Sequence, residues 1–251
     1  MSAPPFSQNT PNKIGKGIEV SGKNTLIKTD DDSFRVAIAD ELIDAKVDGK
    51  KMFCVHVENA GVTSYMMFGV TPMETFDSTK EAYFGSKDFT GCGMRLYSGG
   101  LFYPVEKYHD IIDGKITHKA TEFIVILTIS NNGEKKEIRF LCDGNESKSS
   151  DVSEHLKGYV LFPAICLWDK DQQITTISID EIKTRTPEIK NLIKEYQQQK
   201  NKNNDHPPCD RRTARPSRAD REQEELRRRL RSSKDSPRPP RSARRTCPRL
   251  R

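Results

Sequence analysis

An all-β fold, a sandwich or barrel of short antiparallel strands, is what this sequence predicts, and three observations carry the prediction. Short apolar runs recur at close spacing, turn signals rich in Gly, Asn and Asp separate them, and helical periodicity is nearly missing before residue 180. The plainest runs are Met66-Met67-Phe68-Gly69-Val70-Thr71-Pro72 and Leu161-Phe162-Pro163-Ala164-Ile165-Cys166-Leu167-Trp168, on either side of the glycine-rich Gly91-Cys92-Gly93.

Taken in order, residues 25–27 and 34–38 read as strands, the second alternating apolar with polar or small residues. Asp48-Gly49 is a hairpin-type turn signal leading into a strand over residues 52–57. Residues 65–71 form a nearly continuous apolar run stopped by Pro72, which suits a strand buried on both faces better than a two-turn helix. Residues 94–97 and 101–103 flank Ser98-Gly99-Gly100 as a tight hairpin. Residues 123–129 and 136–141 form a second hairpin across Asn131-Asn132-Gly133, where Asn and Gly supply positive φ angles. Residues 142–158 are polar and read as a loop; residues 159–167 and 174–179 read as the last strands.

Thr186-Pro187-Glu188 then starts an amphipathic helix over residues 186–200. Thr186 stands at the N-cap, Pro187 at the first helical position, and Ile189, Leu192, Ile193 and Tyr196 share one face, which should pack back on the sandwich. Residues 1–14 are polar and proline-rich and read as a disordered N-terminus, residues 15–182 as the sandwich, and residues 201–251 as a disordered tail rich in Arg, Pro and Ser.

Composition narrows the function classes. Of 251 residues, 34% are hydrophobic and 31% charged, polar enough to imply a sizeable part outside any core. Before residue 200 the arginines are Arg35, Arg95, Arg139 and Arg185, whereas arginine dominates beyond Asp210, so the net charge of +6 belongs to the tail. Arg227, Arg228, Arg229, Arg244 and Arg245 are candidate phosphate contacts, which opens a second function: RNA association through the tail, salt-sensitive and without aromatic stacking. Residues 220–231 carry a capping-box pattern and i,i+4 Glu–Arg pairs. An inert tail, or a change of reading frame, fits the same shift in composition equally well.

Cys54, Cys92, Cys142, Cys166, Cys209 and Cys247 lack C-x-x-C pairing and zinc-finger histidines, and read as free, mostly buried thiols. No metal or other cofactor is expected. Neither a secretion signal nor an apolar run of the ~20 residues needed to cross a bilayer is visible, so the expectation is an intracellular protein, cytoplasmic or nuclear, with no membrane partner. His56, His109, His118 and His155 stand apart from any nucleophile-elbow Ser or Cys, Gly91-x-Gly93 lacks the rest of a nucleotide loop, and Asp30-Asp31-Asp32 lacks the ligand spacing of an EF-hand. A non-enzymatic protein is the expectation.

With the strands placed, the sequence resembles the SPRY domain family. Lys51-Met52-Phe53-Cys54-Val55-His56-Val57 looks like the family's aromatic-x-V strand and Phe68-Gly69-Val70-Thr71 like its hydrophobic-G-V strand. Tyr83-Phe84-Gly85-Ser86 with Gly91-Cys92-Gly93 looks like its glycine-rich turn, and Leu161-Phe162-Pro163-Ala164-Ile165 like its L-Y-P-A strand. The F-x-x-N-G phrase appears as Phe140-Leu141-Cys142-Asp143-Gly144, and the G-D-x-I-G phrase is replaced by Asp110-Ile111-Ile112-Asp113-Gly114. The resemblance covers roughly residues 15–179. It implies a bent antiparallel two-sheet β-sandwich used for protein recognition, with a short peptide or partner surface held by loops at one end. Leu96-Tyr97-Ser98-Gly99-Gly100 and Leu167-Trp168-Asp169 occupy the places of the family's pocket residues, so Tyr97, Trp168 and Asp169 are the candidate contacts and Arg95 a candidate charged rim. RING, B-box and SOCS-box patterns are not visible, which disfavours a ubiquitin-ligase adaptor.

Overall fold

The computed structural model describes residues 3–8, 10, 12–104, 109–158, 160–185 and 194. In chain order the elements begin with β1 (Ile18–Ser21), β2 (Thr25–Lys28), β3 (Arg35–Ile38), β4 (Ile43–Asp44), β5 (Gly49–Asn59), β6 (Met67–Thr71), β7 (Cys92–Arg95) and β8 (Gly100–Phe102). They continue with β9 (His109–Asp110), the one-turn helix α1 (Gly114–Thr117), β10 (Glu122–Ser130), β11 (Lys135–Cys142), β12 (Asn145–Glu146), β13 (Ser150–Asp151), β14 (Val160–Leu167), β15 (Gln173–Ile177) and α2 (Ile179–Arg185). One sheet runs β1-β2-β15-β5-β10-β11-β12, with β13 also on β11; the other runs β3-β14-β6-β7-β8-β9, with β4 also on β14. Every pairing is antiparallel. The expected all-β, two-sheet sandwich is the observed one.

Strand alternation explains why the long apolar runs look continuous. Phe53, Val55 and Val57 of β5, Phe123, Val125 and Leu127 of β10, and Leu161, Ile165 and Leu167 of β14 point between the sheets and form the central core. The intervening residues are buried too. Phe162, Ala164 and Cys166 meet Phe76, Phe84 and Phe89 on the outer face of the seven-stranded sheet, while Cys54, Ile124 and Ile126 meet Ile179 and Ile182 of α2 on the outer face of the other. Most central strand positions thus face apolar neighbours on both sides. The glycine-rich phrase follows from this layering: a side chain at Gly93 would collide with the Phe84 ring, and one at Gly69 with the Cys92 carbonyl. Glycine is required there so that Phe84 can lie on the sheet.

Several expectations change. In the N-terminal segment expected to be disordered, Phe6 is buried and donates its N–H to the Lys23 carbonyl (2.8 Å), and Ile14 bridges to Ala37. A lone aromatic among prolines gives no periodic signal, yet its burial is enough to pin the segment. Asp48-Gly49 does not close a hairpin, because β4 pairs with β14 and the chain changes sheet before β5. The segment expected as one loop over 142–158 contributes the two-residue strands β12 and β13. The last strand stops at Ile177, where Ser178 accepts the Glu181 N–H at 3.1 Å and opens α2. The Asn131-Asn132-Gly133 hairpin is observed, with φ of 57°, 55° and 88° at those residues. The amphipathic helix expected over 186–200, apart from exposed Lys194, and the tail over 201–251 lie outside the described residues.

Candidate interaction site

Two loops at one end of the sandwich build the site, and a buried polar cluster ties them together. Asp169 is 3% exposed and Gln172 fully buried. The Thr63 N–H donates to Asp169 Oδ2 (2.7 Å), and the Thr63 hydroxyl lies 2.9 Å from both carboxylate oxygens. Gln172 accepts the Trp168 N–H on Oε1 (2.6 Å) and donates from Nε2 to the Ala60 carbonyl (2.9 Å) and to Asp169 Oδ2 (3.2 Å). Gly61, with φ of 72°, passes so close that a side chain there would strike the Asp169 carboxylate. Asp169 is therefore turned inward, and the partner-contact role expected for it gives way to a positioning one: it holds the 60–65 loop against the one that carries Trp168.

The Asp30-Asp31-Asp32 segment supports the same end from beneath. The ammonium of fully buried Lys28 is paired with the Asp30 carboxylate and donates to the Asp31 carbonyl (2.7 Å); Asp32 accepts the Lys170 N–H (3.2 Å), and Ser33 donates its N–H to the Trp168 carbonyl (3.2 Å).

Above these struts runs a row of rings. Trp168 meets Phe34 edge-on at 4.6 Å between centroids and Tyr65 at 6.2 Å; Tyr65 meets Tyr97 at 5.2 Å, and Tyr97 meets His118 at 6.0 Å. These spacings and steep interplanar angles are those of favourable edge-to-face pairs. Tyr97 and Trp168 thus belong to one surface, but Tyr65 joins them. Sequence reasoning missed Tyr65 because it opens an apolar run and reads as its first core residue.

Tyr97 is 52% exposed, while Trp168 is half-buried against the aromatic cluster of the outer face. The turn bearing Tyr97 is fixed by the Gly99 N–H donating to the Arg95 carbonyl (2.9 Å) and by the buried Thr117 hydroxyl of α1 donating to the Leu96 carbonyl. Arg95, the candidate charged rim, is half-buried, its guanidinium carbon 4.2 Å from the Phe102 centroid, 5.4 Å from Tyr65 and 5.9 Å from Phe34.

Elsewhere, His56 bonds Glu122 through Nδ1 (2.7 Å) and has Glu58 3.6 Å from Nε2. Its neighbour Cys54 is no thiolate at neutral pH: burial, with the Glu122 charge adding to it, pushes the thiol up to about 12. Burial likewise pushes Cys166 up to about 12 and raises Cys92 and Cys142. Among the described residues no group of three or more His, Cys, Asp or Glu side chains converges as a metal site, and no helix is long and apolar enough to cross a membrane. The candidate phosphate contacts Arg227, Arg228, Arg229, Arg244 and Arg245 lie outside the described residues.

No protein-family model matches the sequence, and no curated protein matches it. Solved structures match in fold. A human SPRY domain aligns with 64% of this chain and 95% of its own length, at a TM-score of 0.50 and 16% identity. The SPRY domain of human HERC1 aligns over 68% of this chain and 97% of its own (TM-score 0.49, 15% identity), and the TRIM65 PSpry domain over 70% and 92% (TM-score 0.46, 9% identity). The likeness to the first establishes the fold of this chain as a SPRY-type β-sandwich.

Proposed function

We propose that this chain is a non-enzymatic protein-recognition module that holds a short peptide or a partner surface against the Trp168–Tyr65–Tyr97 row. The observation that carries the reading is the row itself: three rings in edge contact, one of them 52% exposed, standing on loops fixed by buried hydrogen bonds. Rigid aromatics give large contact area at little cost in conformational entropy, and fixed loops lower the ordering cost of binding. The SPRY resemblance, a fold used for protein recognition, supports the class of function. Arg95 sets a cation against the Tyr65 ring of the row and the Phe102 ring beside it.

A random-peptide display selection on the full-length protein tests this. Selected peptides should lose about tenfold or more in affinity on Tyr97→Ala, the loss expected for a hot-spot aromatic. Peptides that bind the wild type and Tyr97→Ala equally, with Trp168→Ala also without effect, would remove the site.

A further inference from the structure

The opposite end of the sandwich carries a second apolar surface that shares no residue with the aromatic row. Lys51 and Asn59 stand near the two ends of β5, and eight strand residues separate the ends by about 26 Å. Around the Lys51 end, Leu42 is 57%, Val47 44% and Val160 48% exposed, and Val160 pairs with Asp44. These are three of the five exposed large hydrophobics among the described residues. Between the sheets at this end a cleft of about 170 Å³ opens, with buried Pro4, Phe53 and Pro163 in its lining and exposed Glu41, Leu42 and Asp44 around it. That volume is below the ~300–1,000 Å³ of pockets that take a small-molecule ligand, and suits a single side chain.

The charges select the occupant further. Glu41 and Asp44 line the mouth with two carboxylates against one lysine of the lining, Lys51, which Asp44 favours as a cation, so the balance of the lining is acidic. We infer that this cleft is a second docking site, for a partner peptide that inserts one aliphatic side chain flanked by basic residues. The aliphatic group fills the apolar walls, and the flanking cations meet Glu41 and Asp44, a rim arrangement that governs selectivity and salt dependence.

Titration of full-length protein at low ionic strength, followed by fluorescence anisotropy, tests this. The probes are labelled glycine-serine peptides carrying a central arginine-leucine-arginine, the same peptide with alanine for leucine, and the same with glutamates for arginines. The arginine-leucine-arginine peptide binds saturably; either peptide change, or Glu41→Lys with Asp44→Lys, weakens it about tenfold or more, and Tyr97→Ala leaves it unchanged. Equal binding of the glutamate peptide, indifference to Glu41→Lys/Asp44→Lys, weakening by Tyr97→Ala, or no saturable binding of any probe each overturns the assignment. Sedimentation separates a different occupant: a dimer dissociated by Leu42→Asp, with no probe bound, makes the surface a contact between copies of this chain.

Discussion

At one end of the sandwich, Val62 and Tyr97 stand exposed beside loops tied by the buried groups of Thr63, Asp169 and Gln172; at the other, Leu42 stands exposed at an apolar cleft with carboxylates at its mouth. The same two sheets supply both ends. The first depends on hydrogen bonds between segments about a hundred residues apart, so its shape is held rigidly and is costly to disturb. The second depends on apolar packing, with the carboxylates Glu41 and Asp44 at exposed positions, where substitution is well tolerated. Damage to stability should therefore concentrate at the aromatic end, while binding can be altered separately at either.

The largest expected effect follows from removing the strut. Asp169→Ala leaves the Thr63 N–H and the Gln172 amide without their buried acceptor and should cost about 3 kcal/mol, read as the shift in denaturant midpoint at constant slope. A loss near zero would mean that water replaces the carboxylate and that the loops are not held as described.

Next comes a contrast within the row. Trp168→Ala should cost about 2 kcal/mol, because its half-buried ring packs on Phe34 and Tyr65, whereas Tyr97→Ala, at 52% exposure, should cost less than about 1 kcal/mol. Both should lower affinity for peptides selected on the row, which separates a contact residue from a merely structural one. Equal stability losses would contradict the observed difference in burial.

At the cleft end the pH response has a definite sign. Burial lowers the Lys51 pKa from 10.5, so the folded chain holds that proton less tightly than the unfolded chain. Below the folded pKa the ammonium costs stability, and this cost is relieved as pH rises from the folded value toward 10.5. Lys51→Met should therefore raise Tm at neutral pH and remove that alkaline gain, as thermal melts across the alkaline range will show; an unchanged or lowered neutral Tm would contradict the sign. The smallest effect belongs to Glu41→Lys/Asp44→Lys, both exposed, which should change stability by less than about 0.5 kcal/mol while weakening binding of the arginine-leucine-arginine probe about tenfold or more.

What the sequence made legible follows the range of the interactions. The Asn131-Asn132-Gly133 hairpin is a local event, and its residues announce it. Tyr97 before Ser98-Gly99-Gly100 and Trp168 at the end of an apolar run stand in short phrases that resemble those of SPRY domains, and that resemblance marked them. Asp169 was marked only as the neighbour of Trp168, and its burial left no local sign: its partner Thr63 lies 106 residues away, and only Gln172 stood nearby as a hint. Tyr65 looked like core because nothing local shows that its ring bridges two others. The cleft, assembled from Pro4, residues 41–44, residues 51–53 and Pro163, leaves no local pattern at all.

The most direct measurement compares one peptide, selected on the full-length protein, against wild type, Tyr97→Ala and Glu41→Lys/Asp44→Lys by fluorescence anisotropy. If the aromatic row is the recognition surface, Kd rises about tenfold or more for Tyr97→Ala and stays within about twofold of wild type for the cleft variant. The reverse pattern, or equal Kd values for wild type and Tyr97→Ala, would contradict it.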